Sequence, residues 1–166
     1  MFLHYFSKVN KAKTYTVDEA KLVLEKYCIY QDRCHQEVLN KLYKMKMIDE
    51  AKELILIHLI QHNFLNEERF AKSFARGKFH QKKWGKIKIA NQLILKKIST
   101  LNISTALNEI EENDYLDTIK SLILKKIAQL NLKNQFEIRK KVSLFMRSKG
   151  YEWTLVIKVL DEVLGE

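Results

Sequence analysis

The residues whose type and spacing can do chemistry in this sequence are its lysines and arginines, which fall in two blocks. Between residues 66 and 100, ten basic side chains stand against two acidic ones, and between 119 and 150 nine stand against one. The segment between them, 101–118, holds five acidic residues and no basic one. Solubilising charge scattered at random needs no such segregation. With a net charge of +10 and a pI near 9.5, the chain favours polyanionic partners, because basic side chains displace counterions condensed on phosphates. In the first block Lys88, Gln92 and Lys96 recur at helical spacing, opposite an expected core stripe of Ile87, Ala90, Ile94 and Ile98. Arg76, Lys78, Lys82, Lys83 and Lys86 lead into that helix. In the second block Lys140, Ser143 and Arg147, flanked by Arg139, run opposite an expected stripe of Ile138, Val142, Phe145 and Met146. These ten cations are the candidate contacts to DNA phosphates or to an acidic protein surface. The plainer alternative is an ordinary solvated helix face.

Other chemistry is weakly supported. His58 and His62 share a helix face at a spacing that zinc tolerates, but the residues between them are Leu-Ile-Gln, without the glutamate of a metalloprotease motif. Cys28, Cys34 and His35 lack CxxC spacing. The acidic run Glu109, Glu111, Glu112 and Asp114 reads as a solvated helix face or as counter-charge to the basic blocks. Trp84, beside Lys82 and Lys83, can stack on a base, although pinning a turn to the core is the favoured reading. Trp153 faces the same choice and is expected in the core. No glycine-rich phosphate loop or nucleophile elbow is present. No catalytic residue, metal or cofactor is assigned, and the chain is not expected to be an enzyme.

The elements that position the cations are helices. The sequence has no proline and four glycines, 46% apolar residues and 30% charged ones, which disfavours turn-rich sheets. Thr16 with Glu19 has capping-box spacing and opens a first helix carrying Ala20, Val23, Leu24 and Tyr27. A second is expected over 34–46 and a third from Asp49, using Leu54, Ile57 and Ile60 or Gln61. Asn66 caps a fourth, interrupted at Gly77. Further helices are expected over 86–98, 104–113, 115–130, 134–149 and 152–164, with Gly150 closing the eighth.

Nine helices fall into three sets of three. Leu42, Leu93 and Phe145 are separated by 51 and 52 residues, and Lys46, Lys97 and Lys149 by the same steps. That period suggests tandem units stacked so that each buries its neighbour's apolar face; a nine-helix globular domain is the alternative. The expected architecture is all-α: an N-terminal arm over 1–14, then repeats over 15–64, 65–113 and 114–166, in an elongated, curved array. No leader segment is evident, and Leu54–Ile60 is far too short to span a bilayer. A reduced, cytoplasmic protein without membrane contact is expected.

The stretch Phe64-Leu65-Asn66-Glu67-Glu68-Arg69-Phe70-Ala71, followed by Lys82-Lys83-Trp84-Gly85 and by Ile89 and Leu93, resembles the central motif of the RecX family. Lys149-Gly150-Tyr151-Glu152, with Ile157 and Leu160, resembles the family's closing segment. The resemblance extends over about 16–164. Lys86 stands where the family usually has proline, Lys88 where it has arginine, Gln92 where it has glutamate and Lys97 where it has glycine. The family's arginine–glutamate pairing therefore cannot operate through Lys88 and Gln92. The resemblance implies a regulator that binds RecA and lies in the groove of the RecA–single-stranded DNA filament; a monomer is expected. It also implies restraint of recombinase and co-protease activity, by blocked extension or by disassembly. The alternative is a helix-turn-helix-like regulator of duplex DNA acting without RecA. The middle helices offer mostly lysine, suited to phosphates rather than base edges, which counts against that alternative.

Overall fold

A computed structural model of the chain describes residues 14–131 and 134–165; the expected arm lies, apart from Thr14, outside them. The described residues form nine helices and no strand: α1 (Val17–Tyr30), α2 (His35–Lys44), α3 (Asp49–Gln61), α4 (Glu67–Lys82), α5 (Lys86–Leu95), α6 (Thr100–Leu107), α7 (Glu112–Leu130), α8 (Gln135–Lys149) and α9 (Trp153–Leu164). The all-α class is the one expected. The chain divides into two compact units, the first ending at Leu65 and the second starting at Asn66.

In the first unit α3 packs on both α1 and α2. The capping box forms: the Glu19 amide donates to the Thr16 hydroxyl at 3.2 Å, and the Thr16 amide donates to the Glu19 carboxylate at 2.9 Å. Ala20, Leu24, Val38, Leu42, Ile55 and Leu59 are fully buried in its core. The stripe expected on α3 is displaced. Leu54, Ile57 and Ile60 face outward, while Ala51, Ile55 and Leu59 face in. Both sets recur at helical intervals on a segment that is apolar nearly all round, so periodicity alone does not choose between them.

In the second unit α4, α5 and α6 pack on one another, as do α7, α8 and α9. The Asn66 side chain caps α4 by accepting from the Arg69 amide at 2.9 Å. This helix runs unbroken through Gly77, contrary to the expected interruption. On α5 the buried residues are Ile89 and Leu93, whereas Ile87 and Ile94 are exposed, so the stripe is rotated from the one expected. The acidic helix expected at 104–113 is also corrected. Ser99 caps a helix that ends at Leu107, Glu109 lies in the turn that follows, and Glu111, Glu112 and Asp114 open α7, where the helix dipole favours them.

The middle helices of the three sets end in one and the same turn. Left-handed residues stand at Lys46, Lys97 and Gly150. The amides of Met47, Ile98 and Tyr151 donate back to the carbonyls of Leu42, Leu93 and Met146, five residues earlier, at 3.1 to 3.2 Å. This is a Schellman closure. It places Met146 rather than Phe145 opposite Leu93, and Gly150 rather than Lys149 opposite Lys97. Phe145 is accordingly half-buried, while Met146 is fully buried.

Candidate partner interface

The site is built around the place where α5 begins and α8 ends. A helix start leaves amides without partners and a helix end leaves carbonyls without them; here the two sets meet. The Gly85 amide donates to the Lys149 carbonyl at 2.9 Å, and the Ile87 amide donates to the Gly150 carbonyl at 3.1 Å. Between them, the Lys86 amide donates to the Tyr115 hydroxyl at 2.9 Å, and that hydroxyl donates to the Glu152 carboxylate at 2.5 Å. Burial, reinforced by the bond to Glu152, pushes the Tyr115 phenol well above its ordinary pKa. Burial raises that of the neighbouring Tyr151 as well. The Tyr151 hydroxyl donates to the Lys83 carbonyl at 3.2 Å.

This junction engages several of the candidate cations. The Lys88 ammonium donates to the Ser148 carbonyl at 2.9 Å and lies 5.0 Å from the Trp84 ring centre. Cations at a helix C-terminus are favoured by its dipole, and this contact replaces the carboxylate partner that Gln92 does not supply. Lys86 lies over Tyr115 at 4.9 Å, Lys78 lies 5.1 Å from both Phe74 and Trp84, and Lys96 covers Phe70 and Phe74 at 5.7 and 5.8 Å. Half-buried Trp84 thus anchors the α4–α5 turn within a layer of cations.

Arg76 is tied to Glu109 at 2.9 Å, and Lys72, absent from the sequence-based candidates, joins the same carboxylate at 3.4 Å. These hydrogen bonds hold the Glu109 carboxyl below its ordinary range. Arg139 is paired with Asp161 at 2.5 Å. Exposed Lys82, Lys83, Lys140 and Arg147 have no carboxylate partner among the described residues. Lys83 is left-handed and reaches over Phe79 at 5.9 Å.

The α8 cations are not set on a purely polar face. Lys140, Ser143 and Arg147 share it with exposed Phe136 and Leu144, and the face forms one wall of a groove of about 740 Å³ closed by Tyr151, Trp153, Val156 and Ile157. Trp153, expected in the core, is 59% exposed because it opens α9 at the groove's edge. The apolar members were missed by reading the charges alone. Phe136 and Leu144 fall four residues either side of Lys140, so the mixed face is visible in the helical pattern.

The histidine pair is structural. His58 shares a 2.6 Å hydrogen bond with Glu25, and His62 Nδ1 lies 3.0 Å from the His58 carbonyl oxygen. Among the described residues no cluster of three potential metal ligands occurs, and no helix is long and apolar enough to cross a membrane.

These features define an all-α protein whose helices pack in threes and whose second and third middle helices carry cations. Residues 66–107 match the family model "RecX, second three-helix domain". Regulatory protein RecX of Clostridium acetobutylicum is 25% identical over 138 residues, and that of Lactobacillus gasseri is 28% identical over 137. These matches cover 81% and 82% of the chain but 64% and 51% of those relatives. Regulatory protein RecX of Chlorobium limicola is 28% identical, with 76% of each chain covered. The fold matches a crystal structure of RecX from Lactobacillus salivarius with a TM-score of 0.81 at 19% identity, over 90% of this chain and 97% of that one. A second RecX crystal structure gives 0.79 at 22% identity, over 87% and 73%. The chain is similar to RecX regulatory proteins over most of its length, and its residues 66–107 match that family's second three-helix domain.

Proposed function

We propose that the chain is a non-catalytic regulator that binds RecA and the RecA–single-stranded DNA filament. On this reading it restrains recombinase and co-protease activity by blocking filament extension or promoting disassembly. Three tandem three-helix units, with boundaries near 64 and 113, present the contacts. The observation that carries the reading is that Lys82, Lys83, Lys140 and Arg147 remain exposed and without carboxylate partners among the described residues. Arg76, Lys78, Lys86, Lys88, Lys96 and Arg139 complete the cationic surface while also engaging internal partners.

The test adds the protein to RecA on single-stranded DNA with ATP and follows ATPase activity and strand exchange. Inhibition near stoichiometric protein is expected. Charge reversal at Lys82 and Lys83, and at Lys140 and Arg147, weakens it in separable steps, and added salt weakens it further. Unimpaired strand exchange at equimolar protein rejects the reading. Tight, sequence-selective binding to duplex DNA without RecA favours a duplex-DNA regulator instead.

A further inference from the structure

We propose that the groove between α8 and α9 is a docking site for an acidic amphipathic helix of a partner protein. The floor and one rim are apolar. Ile87, Phe136, Leu144 and Trp153 are 47%, 72%, 59% and 59% exposed around it. A single apolar side chain at the surface needs no explanation, but four that converge on one concavity define a binding patch. Helix-in-groove recognition reads such a patch through apolar anchors at i, i+4 and i+7.

The charge of the groove selects among such helices. Among the described residues no carboxylate lines it, and Arg139 is committed to Asp161. Lys140 and Arg147 have no ion-pair partner among the described residues. Seven residues apart on α8, they stand about 10 Å from each other along the helix axis, at 1.5 Å rise per residue. A partner helix with an apolar ridge and carboxylates two turns apart satisfies both cations while its ridge covers Leu144 and Trp153. Single-stranded DNA fits less well. Two exposed rings are available for stacking, but the remaining floor is aliphatic, and among the described lining residues only Ser143 and Tyr151 carry a hydroxyl.

This inference rests on Lys140 and Arg147 being partner contacts, and the experiment separates it from the proposed function. The whole protein is titrated into a fluorescein-labelled synthetic 18-residue helical peptide. The peptide has leucines at i, i+4, i+7 and i+11 and flanking glutamates two turns apart. A version with lysine for each glutamate and a labelled oligothymidylate serve as the other probes. Saturable binding of the acidic peptide is expected, at least tenfold tighter than that of the lysine peptide. Leu144→Asp and the Lys140→Glu/Arg147→Glu pair each weaken it tenfold or more. Because these side chains are exposed, the variants keep the parent's helical circular dichroism and melting temperature. Lys158→Glu, outside the groove lining, leaves binding unchanged. Equal binding of both peptides, no binding of the acidic one, or a Leu144→Asp effect confined to the oligothymidylate each overturns the proposal. The same variants are run in the RecA strand-exchange assay. Selective peptide binding without strand-exchange inhibition removes only the proposed function, and inhibition without peptide selectivity removes only the groove's assignment.

Discussion

Gly85 and Gly150 meet backbone to backbone, and neither tolerates a side chain. A Cβ on Gly85 would stand 2.2 Å from the Gly150 carbonyl oxygen, and one on Gly150 would stand 2.3 Å from Lys88 Cβ. This proximity lets the first amides of α5 and the last carbonyls of α8 satisfy each other. Gly150 is further constrained by its φ of 85°. The equivalent turns at Lys46 and Lys97 accept a lysine at positive φ, so left-handed geometry alone does not demand glycine there. The close approach of α5 demands it at 150.

Gly85→Ala and Gly150→Ala are therefore expected to destabilise the unit from Asn66 onward by on the order of 3 kcal/mol, the range for an overpacked or strained backbone position. Hydrogen exchange is the measurement that checks this. Protection falls in α5 and α8 and stays unchanged in α1–α3. Gly77→Ala is the contrast: nothing lies within 4 Å of a Cβ there, and it stabilises α4 by about 1 kcal/mol.

Tyr115→Phe removes a hydroxyl that serves both the Lys86 amide and Glu152. The expected cost is about 1–3 kcal/mol, because two partially buried groups lose a partner. The raised pKa of this phenol also sets an alkaline limit. Stability contributed by the neutral phenol is complete below the unfolded tyrosine pKa of about 10 and declines as pH rises above it. Urea midpoints between pH 7 and 11 fall steeply in the parent protein and less steeply in the variant. Tyr151 accounts for the remainder.

The stripes on α3 and α5 are separable by alanine substitution. Ile55→Ala and Leu93→Ala, at fully buried positions, are expected to cost about 2–5 kcal/mol. Ile57→Ala and Ile94→Ala, at exposed ones, stay within about 0.5 kcal/mol. Urea denaturation of the four variants distinguishes the two registers.

Glu109 couples α4 to the end of α6 through Arg76 and Lys72. Its lowered pKa means that the stability it contributes is present above the ordinary carboxylate range and lost as pH falls through the folded value. Glu109→Gln is expected to flatten the acid limb of the stability profile between pH 6 and about pH 3, below the unfolded carboxylate pKa of roughly 4. Added salt flattens the parent's profile in the same way, since the pair is open to solvent.

The sequence by itself determined the helical class, the caps at Thr16 and Asn66, the two cationic blocks and the family resemblance. All of these are local: a cap needs its own next turn, and charge segregation is written along the chain. Tertiary structure decided which side of α3 and α5 turns inward, because those helices are apolar around most of their circumference and only the neighbouring helices choose the buried stripe. It also moved Trp153 out of the core and assembled Phe136, Leu144 and Trp153 into a groove beside Lys140 and Arg147. Most consequentially, it joined Gly85 to Gly150 across 65 residues of chain. The glycines at both positions are legible in the sequence, but that Gly85 makes room for the Gly150 carbonyl, and Gly150 for Lys88, follows only from the packing of α5 against the end of α8.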